Sequence, residues 1–388
     1  MRALIAFDKF KDSLTAREAC DLTARALRTR HPDWSLDLCP LADGGEGFAE
    51  ILTLSAGGKM VRHRVDGPRG TPLEAAFGLA DLAAIPAAAR QLLQIENRES
   101  KIENPSVAVI EMAAASGLAL LPTDGRDPWQ ASTVGTGQLI RAAAEAGAIC
   151  LLLGVGGSAT NDLGFGALSA LGLDFLAADR QAVRPPIPAH WNRITQITGA
   201  APHSLPPIRI ACDVTNPLLG SQGAAAIYGP QKGLRPEDRK RIEHESARLA
   251  LMLCNHCRQP DSLMDLPGAG AAGGLPFGLM AATGARLLPG FDLVSTWLDL
   301  EAKIAAADII ITGEGRFDQS SLSGKGPGAV AARGRALGKP VHVFAGAVTV
   351  TAPAPDGLTL HPITPPHTPL PEALRQAAAN LGVAVSKI

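Results

Sequence analysis

Five short loops combine glycine with carboxylates, and each follows an apolar run. They are Asp8-Lys9-Phe10-Lys11, Asp43-Gly44-Gly45-Glu46-Gly47, the stretch from Gly154 to Asp162, Asp213-Val214-Thr215-Asn216-Pro217, and Gly313-Glu314-Gly315-Arg316-Phe317-Asp318. Glycine lets backbone N–H groups approach an anion, and a carboxylate just past a strand can hold a metal ion or a hydroxyl. One such loop is ordinarily a tight turn. Five of them point to a site.

The elements behind these loops alternate. Ala3–Phe7 reads as a buried strand closed by Asp8, and Thr15 with Glu18 forms a capping box before apolar residues at helical spacing. Leu36–Leu41 is a second strand, so the N-terminus is a β-α-β-α unit with its polar residues just past strand ends, where open α/β sheets bind ligands. The pattern then changes. Met60–Val65 and Leu73–Leu79 flank turn residues and predict an antiparallel hairpin and a change of domain, and Ala83–Pro105 reads as a surface excursion. Further strands are expected at Val107–Ile110, Ile149–Val155, Ile208–Cys212, Ile309–Thr312 and Val341–Phe344, with helices at Thr136–Ala146 and Pro236–Cys254. The chain of 388 residues is long enough for two domains, cut here as 1–66 plus 291–388 and 67–290. The fold class is α/β. Aromatics make up only 4% of the chain, so the core is built from small and branched side chains.

Several function classes fall away. A net charge of −1, from 36 basic and 37 acidic residues, supplies no basic surface for nucleic acid or an anionic membrane. No secretory signal opens the chain, and the uncharged stretch Leu266–Ala285 is broken by glycines and prolines. Six scattered cysteines read as buried free thiols in a reducing, cytoplasmic setting, and Cys254-Asn255-His256-Cys257 lacks the second ligand pair of a zinc site. Gly268–Gly273 satisfies GxGxxG, but no strand feeds it, which argues against a dinucleotide-dependent oxidoreductase. Ser323-Gly324-Lys325 has Gln319 where a Walker A loop needs glycine, so phosphate held there is not held by a P-loop.

Long stretches of the chain resemble the bacterial type-1 glycerate kinase family. They are Ile5–Leu14, the Ala42–Gly47 loop, Val109–Gly117, Thr133–Leu139, Gly154–Gly172, Ala211–Gly233, Pro267–Pro289 and Ile311–Pro327. The resemblance implies a flavodoxin-like domain with a parallel sheet beside a second α/β domain with a mixed sheet. It also implies transfer of the ATP γ-phosphoryl group to D-glycerate with Mg²⁺, giving 2-phosphoglycerate. Attack by the 3-hydroxyl is an alternative, as is a sensor that binds metabolite or nucleotide without turnover. The chain departs from the family at Lys9, where serine is usual, at Leu163, where glycine is usual, in its longer 83–105 excursion, and beyond Gly346.

Phosphoryl transfer asks for cations on phosphoryl oxygens, carboxylates on Mg²⁺ and a base for the hydroxyl proton. Lys11 and Lys325 are the expected cations, with Lys9 beside them, and Arg316 is a clamp for the glycerate carboxylate or a partner of Glu314. Asp43, Glu46 and Glu314 are the expected Mg²⁺ ligands, with helix capping the alternative for Asp43. Asp213 and Asp162 are candidates for the base or for binding hydroxyls, an Asx turn being the rival for Asp213. Asp8, Gly156, Gly157, Ser158, Asn161 and Asn216 are expected to contact substrate or nucleotide, or to hold the loops. Partners are a small molecule, with no nucleic acid and no membrane, and a homo-oligomer is left open.

Overall fold

The computed structural model describes residues 1–95, 104–319, 321, 326–350 and 357–388. The chain divides into two compact units, an outer one of residues 1–43 and 294–388 and an inner one of residues 44–293. Among the described residues the strands are β1 (Arg2–Phe7), β2 (Ser35–Leu38), β3 (Lys59–Asp66), β4 (Pro72–Asp81), β5 (Ser106–Glu111), β6 (Ala148–Gly154), β7 (Leu173–Leu176), β8 (Gln196–Gly199), β9 (Ile208–Ala211), β10 (Arg286–Leu288), β11 (Ile309–Phe317), β12 (Val341–Val348) and β13 (Leu358–Pro362).

The outer unit holds one sheet in the order β2-β1-β11-β12-β13, parallel throughout. Counted within that unit, the order is 2-1-3-4-5, the flavodoxin-like arrangement. Residues Ala3–Phe7 have no exposed surface, as a strand covered on both faces requires. Helix Ala16–Arg30 follows β1 and starts at the capping box read from the sequence: Glu18 N–H donates to Thr15 Oγ1 at 3.1 Å, and Thr15 N–H donates to Glu18 Oε2 at 2.8 Å.

In the inner unit the sheet runs β3-β4-β5-β6-β9-β10. Strands β5, β6, β9 and β10 pair in parallel, and β3 and β4 extend one edge antiparallel. The expected hairpin is therefore real, and it corrects the domain cut. Strand β3 pairs along its full length with β4, so 59–66 belongs to the inner sheet and the first boundary falls at Asp43/Gly44, not after Asp66. The return to the outer unit comes at Val294. Part of the 83–105 excursion folds as helix Ala87–Leu92, while its charged portion 96–103 lies outside the described residues. All six cysteines are free, and burial pushes the thiols of Cys20, Cys39, Cys150 and Cys254 up. No described helix is long and apolar enough to cross a membrane.

Leu163 stands where the family resemblance leads one to expect glycine, and its backbone lies in a region that favours glycine. Its φ is 56°, in the left-handed region, yet its side chain is buried at 1% exposure. It packs where helix Leu275–Thr283 begins, and a Cβ on Gly278 would come within 2.1 Å of the Leu163 carbonyl oxygen. Left-handed backbone costs roughly 1–2 kcal/mol, whereas truncating a buried leucine costs about 2–5 kcal/mol. Burial wins. Leu163→Gly should therefore lower the thermal midpoint followed by circular dichroism; a raised midpoint would mean that backbone strain dominates.

Candidate active site

Strands β1 and β11 pair with Phe7 opposite Gly313, so Asp8 and Glu314 follow side by side at the carboxyl edge of the outer sheet. The chain order reverses between these two strands, and such a switch point opens a crevice. Asp8 N–H donates to Gly313 O at 3.0 Å, and Leu41 N–H donates to Phe7 O at 2.8 Å, which draws the chain toward Asp43 alongside. Phe10 is buried against Phe7, leaving its neighbours Lys9 and Lys11 on the cleft wall. Lys9 Nζ lies 3.9 Å from Asp8 Oδ1 and 3.5 Å from Asp43 Oδ1.

Glu314 and Arg316 belong to a strand rather than to the loop expected from sequence. Strand β11 runs on to Phe317, with Glu314 opposite Ala345 and Arg316 opposite Ala347 of β12. Residues two apart on a strand face the same side. Both line an open cleft of about 820 Å³ with Asp8, Lys9, Lys11 and Asp43. Arg316 Nε sits 3.3 Å from Asp318 Oδ2, so its described partner is Asp318 and not Glu314. The cleft is also lined by Ile363, Leu370, Ala373, Leu374 and Ala377.

Burial dominates the charge balance. It raises the Glu314 carboxyl to about 7; a hydrogen bond with the Ser321 side chain opposes this, and Asp8, Asp318 and Asp43 add to it. Asp8 is raised to about 6 by burial, with Lys9 opposing and Asp43 adding. Glu314 Oε1 is buried without a hydrogen-bond partner among the described residues. Such an arrangement of hard, partly desolvated oxygens is suited to a cation.

Other expected site residues have different tasks. Glu46 is exposed, falls in the inner unit and does not line this cleft. Lys325 lies outside the described residues. Asp162 is fully buried, and its oxygens accept from Thr133 N–H, Thr133 Oγ1, Gly164 N–H and Gly166 N–H at 2.8–3.2 Å, so it ties the loop to its neighbours. Asn216 is also a brace: its Nδ2 donates to Gln222 O at 2.7 Å and its Oδ1 accepts from Tyr228 Oη at 2.6 Å. Gly156 N–H donates to Gly44 O at 2.9 Å, so that donor is already engaged, while Gly157 adopts φ 72°. Asp213 is half-exposed at the end of β9, and its Oδ2 accepts from Phe291 N–H at 2.8 Å. Asn161 is buried, and its Oδ1 has no partner among the described residues.

Sequence reasoning missed two groups. Glu111 ends β5, is 9% exposed, and accepts from Gly47 N–H at 3.0 Å and Ala49 N–H at 3.4 Å, capping helix Phe48–Ser55. Lys232 is 1% exposed and donates to Ser158 Oγ at 2.8 Å and Thr160 O at 2.6 Å. The available signals were a glutamate closing the apolar run Val107–Ile110 and a lysine set in Gly229-Pro230-Gln231-Lys232-Gly233.

Both cleft carboxyls bind protons more tightly folded than unfolded. Between the ordinary values of 3.8 and 4.5 and the raised values of about 6 and 7, the native state holds more protons. The stability they contribute is thus fully present below that window and lost as pH rises through it. Glu314→Gln should flatten the fall in thermal midpoint across this window; an unchanged slope would remove Glu314 as its source.

The model of the Glycerate kinase family matches residues 3–388. A glycerate kinase of Bacillus subtilis (strain 168) is 36% identical over 97% of this chain and 94% of its own length. A glycerate 2-kinase of Escherichia coli (strain K12) is also 36% identical, over 90% and 86%. A crystal structure assigned to glycerate kinase 2 of Salmonella typhimurium LT2 superposes with a TM-score of 0.74 at 35% identity, covering 100% of this chain and 96% of that one. With its cleft at the switch point of a flavodoxin-like sheet, and with matches of this extent, the chain belongs to the glycerate kinase family.

Proposed function

We propose that the chain transfers the γ-phosphoryl group of ATP to the 2-hydroxyl of D-glycerate, with nucleotide and Mg²⁺ taken up in the outer unit's cleft. Family membership makes it a kinase acting on glycerate. The observation that carries the assignment of the cleft is Glu314 Oε1, buried without a hydrogen-bond partner among the described residues beside Asp8 and Asp43. Among those residues no three metal-ligating side chains converge into a closed cage. Mg²⁺ takes one or two carboxylates, and waters and phosphate oxygens would complete its shell. When bound there, Mg²⁺ would neutralise charge on the phosphoryl oxygens.

Lys9 and Lys11 supply further positive charge, and Arg316 keeps N–H groups beyond Nε for a carboxylate or a phosphoryl oxygen. The apolar wall of Ile363, Leu374 and Ala377 suits a nucleoside. Asp213 is the proposed base, its Oδ2 oriented by the Phe291 amide. It takes the hydroxyl proton as the substrate oxygen bonds to γ-phosphorus and the bond to the β-phosphoryl oxygen breaks, releasing ADP. The name of the Escherichia coli relative supports the 2-hydroxyl.

Incubation with ATP, Mg²⁺ and D-glycerate, followed by enolase with and without phosphoglycerate mutase, tests the product. Consumption without mutase is expected; a strict need for mutase would identify 3-phosphoglycerate, and ligand binding without turnover would indicate a sensor. Asp213→Asn should lower kcat by about 10²–10⁴-fold, the usual share of a general base. Wild-type turnover in that variant would end its assignment. Leu374→Trp, which fills the apolar wall, should raise KM for ATP while leaving KM for glycerate unchanged; equal effects on both would displace the nucleoside from that wall.

A further inference from the structure

We propose that Lys232 is a positioning residue for phosphoryl transfer: its ammonium group pins the loop leaving β6, and catalysis depends on that loop staying in register. The proposal rests on the kinase reading for its consequence in turnover, though not for its structural part.

Lys232 ends the short turn Pro230–Lys232 of the inner unit, and at 1% exposure its ammonium has exchanged water for two protein oxygens, Ser158 Oγ and Thr160 O. The turn also packs tightly on neighbouring backbone. Gly233 follows at φ 90°, and a Cβ there would meet the Arg126 carbonyl oxygen at 2.2 Å. Two residues beyond Thr160, the Asp162 carboxylate gathers its four donors. A cation thus holds the first half of the loop and an anion the second. Between them Asn161, 2% exposed, keeps an amide oxygen without a partner among the described residues. The loop is held on both sides of that oxygen, which no described residue satisfies.

A purely structural need would be met at lower cost. Burying a cation carries a penalty of several kcal/mol, and an apolar side chain of similar volume is often neutral or stabilising in its place. Burial lowers the Lys232 ammonium to about 7, with the Asp162 carboxylate opposing. Ser158 and Thr160 do not titrate in this range, and the Arg126 backbone packs on the adjoining Gly233. The unfolded chain, with an ordinary lysine at 10.5, holds more protons between about 7 and 10.5, so this residue makes stability rise with pH across that window. Below it, the penalty is fully present.

The test uses Lys232→Met and Lys232→Arg in the full chain. Loss of loop register should lower kcat of the methionine variant by about a hundred-fold, the scale of a misplacement of about 1 Å. KM for ATP and for glycerate should change little, and arginine should restore much of the loss. The thermal midpoint of the methionine variant should match or exceed that of the parent at about pH 6, with the advantage shrinking as pH rises. A merely structural lysine would instead lose midpoint and turnover together. Amide hydrogen exchange across 156–162 should quicken in the methionine variant whether or not the parent phosphorylates glycerate, which separates this proposal from the kinase reading. Unchanged exchange there, or a methionine variant with parental kcat, would overturn it.

Discussion

The parallel pairing of β1 with β11 is the constraint from which the candidate site follows. Placing Phe7 opposite Gly313 delivers Asp8 and Glu314 together to the carboxyl edge of the outer sheet. Because β11 continues to Phe317, the side chains of Glu314 and Arg316 stand on one face of a rigid strand instead of on a loop. A one-residue slip would turn that face over and separate the carboxylates. The buried residues of β1 and β11 hold the register, so core packing sets the electrostatics of the cleft.

The two units treat buried charge in opposite ways. In the outer cleft, like charges accumulate: Glu314 and Asp8 have raised pKa values, and a buried oxygen of Glu314 finds no hydrogen bond among the described residues. That arrangement costs stability near neutral pH, a cost that binding of a cation would offset. In the inner unit, Asp162 is enclosed by four donors and Lys232 by two oxygens. Groups satisfied in that way specify a backbone path more than they bind a ligand.

The fold was largely legible because its signals are local. A capping box, an alternating hairpin and apolar runs closed by polar residues each depend on a few neighbouring residues, and β1, β3, β4, β5, β6, β9, β11 and β12 all appear where those patterns stand. Boundaries were less legible. Glu314 and Arg316 look like loop residues from glycine and charge alone, and only pairing with β12 across the sheet keeps them extended. The domain cut depended likewise on which sheet receives β3, a non-local fact. Of the residues that the sequence singles out, Asp8, Lys9, Lys11, Asp43, Glu314 and Arg316 line one cleft. Asp162 and Lys232 could not be sorted in advance, since exposure and hydrogen-bond partners, not residue type, decide whether a charge acts or holds.

The glycines carry the same lesson further. Glycine-rich loops suggest backbone N–H groups offered to an anion, yet Gly154, Gly156, Gly270 and Gly273 serve contact between loops. A Cβ on Gly156 would lie 2.6 Å from Gly45 Cα, and one on Gly154 would lie 2.5 Å from Gly44 O, so the loop leaving β6 and the loop entering helix Phe48–Ser55 can touch only without side chains. The hydrogen bond from Gly156 N–H to Gly44 O then uses the donor that a phosphate would have needed. In the GxGxxG run the relation repeats, where a Cβ on Gly270 would meet Pro217 O at 2.0 Å and one on Gly273 would meet Thr160 O at 2.2 Å. That last contact sits on the loop Lys232 holds. The glycine run and the buried lysine thus press on the same backbone from two directions, and the path of 156–162 is set by steric fit as well as by charge.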